Sequence, residues 1–104
     1  MKIKVQVTQQ HIDESSVNIT DNFGAKAMRS LIRSDEDIYL YFRKGVLQSK
    51  YVRRKSYEFK LPRSFTRAFK RAFKGLPVEP FNFVIDIDER YTAEYYHRQM
   101  SREG

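Results

Sequence analysis

The chain lacks cysteine, lacks any long apolar run, and has almost no acid in its middle third. Without cysteine, disulfides, thiolate metal sites and cysteine nucleophiles are excluded, and the composition suits a reducing compartment. No stretch approaches the roughly 20 apolar residues that a membrane helix needs. The opening MKIKVQVTQQ alternates charged and β-branched residues and has no signal-like apolar core, so the expected location is the cytoplasm. There are no internal repeats, low-complexity tracts or linkers.

What is present points to one small domain. A chain of 104 residues buries roughly two thirds of its unfolded surface and is too short for two ordinary domains. Eight phenylalanines and seven tyrosines predict a core rich in aromatic rings. The formal charge is +7, but it is unevenly spread: from Arg43 to Lys74 there are twelve Lys/Arg and one acid, Glu58, while the remainder holds eight basic and twelve acidic residues. One segment therefore carries the whole positive excess, which favours an anionic partner.

Periodicity supplies the elements. Ile3, Val5 and Val7 alternate with Lys2, Lys4 and Gln6 as in a half-buried strand, and residues 11–20 read as a loop. Asp21 or Asn22 caps a helix expected to run to about Arg33, with Gly24, Ala27, Met28, Leu31 and Ile32 as its buried stripe. Ile38, Leu40 and Phe42 form a strand, Lys44-Gly45 is expected to turn it into a hairpin, and residues 46–61 are strand-like, as one strand or as two bent at Arg53-Arg54-Lys55. Pro62 opens a second helix that buries Phe65, Ala68, Phe69, Ala72 and Phe73 and stops at Gly75. Phe81, Phe83, Ile85 and Ile87 lie on one face of a last strand, and residues 88–104 form a helical tail. The expected fold class is α+β: an antiparallel sheet with two helices on one face, in the strand-helix-hairpin-helix-strand order also used by ferredoxin-like folds, with residues 1–87 as the domain and 88–104 as a C-terminal helix.

The segments MKIKVQVTQQHID and LPRSFTRAFKRAFKGLPVEPFNFVIDI resemble an uncharacterised group of small tailed-phage proteins, a likeness that supplies no activity. Members of that group commonly open like MKIKVTQEHI and close with LP, an amphipathic helix and PVEPF before an alternating strand. The likeness covers residues 1–12 and 61–87, and more loosely Ala25 to Ile32. It implies a phage-type accessory gene product acting in the host cytoplasm. The chain departs from the group at Asn22-Phe23-Gly24, where members carry a Cys-Pro pair. It departs again at Arg67, Lys70, Arg71 and Lys74, where their second helix tends to be acidic.

The candidate site follows from charge. Arg63, Arg67, Lys70, Arg71 and Lys74 make the polar face of the second helix, with no acid to form i, i+4 pairs. Such a stripe suits phosphate backbones or a nucleoprotein surface, while the bland reading is a solvated face of a basic protein. Arg53, Arg54 and Lys55 extend the footprint or keep a hairpin tip soluble. Tyr91, Tyr95, Tyr96 and Met100 are anchor types found in protein interfaces; they dock back on the domain or serve a homodimer or host-protein contact. The leading expectation is a non-enzymatic binder of nucleic acid or a nucleoprotein complex, for example an inhibitor of a bacterial defence system such as CRISPR. A protein adaptor without nucleic-acid contact is the alternative. A third thread is a metal-dependent nuclease built on Glu58-Phe59-Lys60 with Asp35 or Asp37, a pattern common by chance. His11 and His97 stand alone, and no cofactor or resident metal is implied.

Overall fold

Alternation of apolar and polar residues produces the two outer strands and their pairing. In the computed structural model, which describes residues 1–52 and 56–103, β1 (Lys2–Val7) runs antiparallel to β5 (Phe81–Asp86), with Lys2 opposite Asp86 and Val7 opposite Phe81. This register brings the inward residues Val5, Val7, Phe83 and Ile85 onto one buried face. A second antiparallel sheet holds β2 (Glu36–Leu40), β3 (Lys44–Ser49) and β4 (Ser56–Lys60) in that order. Residues 46–61 are thus two strands, and the Arg53-Arg54-Lys55 stretch between them lies outside the described residues.

The fold is α+β with antiparallel pairing, as expected, but its strands divide into two sheets where a single one was expected. A ferredoxin-like sheet would place the hairpin's inner strand beside β1. Here β3 pairs with β4 instead, and β4 approaches β5 without a ladder. The sheets are tied at one end, where the Tyr57 hydroxyl accepts the Asp88 backbone N–H at 2.9 Å.

Four helices complete the described residues: α1 (Gln9–Asp13), α2 (Phe23–Met28), α3 (Arg63–Phe73) and α4 (Ala93–Glu103), with a 3-10 turn at Glu89–Tyr91 before α4. Helix α1 reaches into the segment 11–20 expected to be a loop. It is nucleated by a capping box: Thr8 Oγ1 accepts the His11 N–H, and His11 Nδ1 accepts the Thr8 N–H. Helix α2 begins as expected, with the side-chain Oδ1 of the buried Asn22 accepting the Ala25 N–H, but it ends five residues before Arg33. The Arg29 guanidinium takes the carbonyls of Ile32, Arg33 and Glu36. Beyond it, Leu31 to Arg33 bond to the tail, through the Ile32 to Thr92 bridge and the Arg33 N–H to the Tyr91 carbonyl, so tertiary pairing replaces helix.

The hairpin turn is also displaced. It is Tyr41 to Lys44, closed by the Tyr41 N–H to the Lys44 carbonyl, and Gly45 lies inside β3. Glycine is needed at that position because a Cβ would sit 2.1 Å from the Phe59 ring. Helix α3 matches its expected span. Gly75 at φ +73° closes it, with the Leu76 N–H on the Arg71 carbonyl and the Gly75 N–H on that of Ala72. Phe23 of α2 meets Phe65 and Phe69 of α3 at centroid distances of 5.9 and 6.2 Å, so the two helices share one aromatic core with Phe83. Phe73, expected in that core, is left at the surface.

Candidate anion-binding groove

On α3 the buried positions Phe65 and Phe69 fix the helix rotation, which turns Arg63, Arg67 and Lys70 toward solvent along one edge. Beside that edge stands the β2–β3 turn, fastened to the start of α3 by two bonds. The Leu61 N–H donates to the Arg43 carbonyl at 2.9 Å, and the Thr66 hydroxyl donates to the Phe42 carbonyl. The turn therefore delivers Arg43 to the helix edge. Lys60, last residue of β4 and opposite Lys44 in the ladder, arrives there because α3 follows β4 after only Leu61 and Pro62.

The result is a groove of about 680 Å³ lined by Arg43, Lys60, Leu61, Arg63, Thr66, Arg67 and Lys70. Five of its seven lining residues are cationic and none is a carboxylate. Among the described residues, none of the five makes an ion pair. The contrast with their neighbour Lys44 is informative, since Lys44 reaches Glu58 at 3.3 Å across the same sheet. Cations packed along a helix without compensating acids repel one another, and an anion in the groove relieves that repulsion. The first turn of α3 adds to the positive field: it carries no acid, and its cap, Pro62, offers no side-chain acceptor to the leading N–H groups.

The expected basic stripe is thus split. Arg63, Arg67 and Lys70 converge on the groove. Arg71 lies on the adjoining flank of α3, beside Arg67, where its Nε donates to the Pro77 carbonyl at 3.0 Å and holds the loop after the helix. Lys74 caps the C-terminal end of α3 and is exposed there. Arg53, Arg54 and Lys55 lie outside the described residues. Arg43 and Lys60 belong to the site but not to the stripe. Lys60 stands three residues before Arg63 and so was reachable from the sequence, whereas Arg43 is brought in by the docking of its turn.

The tail residues go two ways. Tyr91 stacks on Tyr57 at 4.4 Å, and burial together with the nearby Glu36 carboxylate holds its phenol above the usual range. The Arg33 guanidinium lies 4.6 Å over Tyr96, and that of Arg98 lies 5.8 Å over Tyr95. Tyr91, Tyr95 and Tyr96 thus have partners within the chain, while Met100 stays exposed.

Two carboxylates of the nuclease pattern are engaged elsewhere. Glu58 pairs with Lys44, and Asp35 is gripped by both ends of the Arg33 guanidinium at 2.9 and 2.8 Å. Asp88 caps the 3-10 turn and is held down to about 2 by hydrogen bonds from Arg90. Among the described residues no three His, Asp or Glu side chains come together as a metal site. Comparison with protein-family models, with curated proteins and with solved structures found no match.

Proposed function

We propose that this protein is a binding protein for nucleic acid, or for a nucleoprotein complex, and that the α3 groove grips the phosphate backbone. The observation that supports this reading is the convergence of Arg43, Lys60, Arg63, Arg67 and Lys70 on one groove without a carboxylate or an ion-pair partner among the described residues. Phosphate contacts by such side chains release counterions and make affinity fall steeply with salt. Five contacts to a single strand correspond to a slope of log affinity against log salt near about −3.5.

The resemblance of both chain ends to small tailed-phage proteins gives this reading a setting: an accessory protein in the host cytoplasm. One concrete version is interference with a bacterial defence complex such as a CRISPR effector, by occupying its nucleic-acid channel. The second reading, a protein adaptor, is favoured by the exposed Met100 on the tail. Binding through such apolar contacts changes little with salt.

The test is affinity for labelled DNA and RNA across a salt series, for the native chain and for a variant with Arg43, Arg67 and Lys70 changed to Gln. The expected result is a steep native slope that flattens by about 2 in the variant. No binding at low salt refutes the proposal and directs the search to protein partners.

A further inference from the structure

Helical periodicity assigns Phe73 to the buried stripe of α3, yet it is 57% exposed, while Phe65 and Phe69 are 0% and 2% exposed. Its neighbour is Phe42 of the β2–β3 turn, 36% exposed, with ring centroids 5.3 Å apart. Phe42 also rests 4.9 Å from Phe69, and its carbonyl accepts the Thr66 hydroxyl, so the pair is anchored from below. Its location is specific. Thr66, Lys70 and Phe73 fall at i, i+4 and i+7 on one edge of α3, and Arg43 follows Phe42 directly, so the aromatic pair neighbours residues that line the cationic groove. A single exposed phenylalanine needs no explanation. Two in contact, beside a carboxylate-free cationic groove, combine the two features by which single strands are held: charge along the backbone and ring faces for the bases.

Resting on the phosphate-binding reading above, we propose that the groove takes single-stranded rather than duplex nucleic acid. Phe73, backed by Phe42, is the platform on which an unpaired base stacks while the flanking phosphates lie against Lys70, Arg43 and Arg67. A duplex keeps its base faces inside its own stack and offers Phe73 only sugar and phosphate. The ring and the cations therefore act together on a single strand and separately on a duplex.

The chain contains no tryptophan, so Phe73→Trp introduces one indole at the platform, and stacking on a base quenches its emission. The probes are mixed-sequence single-stranded DNA and RNA, a hairpin duplex of the same composition, and poly-glutamate as an acidic polypeptide. We expect tighter binding to a single strand than to the duplex, quenching of Phe73→Trp by the single strand alone, and at least an about fivefold loss of single-strand affinity in Phe73→Ala. Duplex affinity should be unchanged in Phe73→Ala, which also serves as the check that this variant folds. Equal binding to both forms, with no quenching and no loss in Phe73→Ala, overturns the stacking proposal and leaves the phosphate groove standing. No binding to any nucleic acid, or equally tight binding to poly-glutamate, overturns both.

Discussion

Glu36 offers the sharpest test of the packing. It opens β2 only 7% exposed, and one carboxylate oxygen is buried with no hydrogen-bond partner among the described residues. Burial pushes its carboxyl above the usual glutamate value, and Asp35 and Asp37 reinforce this, while Arg33 and Arg29 partly oppose it. The sign follows from proton counting. Between the ordinary value and the raised one, the folded state holds more protons than the unfolded state, so stability falls as pH climbs through that window and is level above it. Glu36→Gln keeps the shape and removes the charge. Relief of an unpaired buried charge is on the order of 1 kcal/mol, which for a domain of this size is about 4 °C in Tm at pH 7.5. Below pH 4 the wild-type carboxyl is protonated in both states and the gain should vanish. Thermal unfolding of both proteins from pH 3.5 to 8 measures the difference. Subtracting the two curves removes the opposite arm due to Asp88, whose lowered carboxyl contributes stability above its ordinary value and loses it toward about pH 2. A variant that loses stability at pH 7.5, or whose pH profile parallels the wild type, would show that the Glu36 carboxylate is paired and the reasoning wrong.

Gly45→Ala forces a methyl into the Phe59 ring and should cost about 1–3 kcal/mol in urea unfolding; pairing it with Phe59→Leu should recover much of the loss. Phe69→Ala should cost about 3–5 kcal/mol because the ring is buried, whereas Phe73→Ala, four residues along the same helix, should cost less than about 1, and equal costs would refute the assignment of Phe73 to the surface. Thr66→Val removes the hydroxyl that holds the Phe42 carbonyl; about 1 kcal/mol of stability should go with it, and single-strand affinity should drop because one of the two bonds fastening the Arg43 turn to α3 is gone.

Much of this fold was legible because local and tertiary signals agree. In α3 the 3.6-residue spacing of Phe65, Ala68, Phe69 and Ala72 and the stop at Gly75 demand the same element, and the two outer strands alternate cleanly. Legibility failed where a distant partner outbid the local pattern. Leu31 and Ile32 continue the apolar spacing of α2, but their backbone groups pair with Thr92 and Ala93, some sixty residues away. Gly45 looks like a turn residue and is instead a clearance for Phe59. The same distinction separates the two halves of the candidate site. Counting charges found Arg63, Arg67 and Lys70 because a helix places them together by geometry alone. It could not find Arg43, whose position depends on the Leu61 and Thr66 bonds to the turn, nor see that Arg71, one residue from Lys70, would lie outside the groove and hold the Pro77 loop. The excess charge is visible in the sequence, but the bonds between the turn and α3 are what gather part of that charge into a groove and set Phe42 and Phe73 beside it.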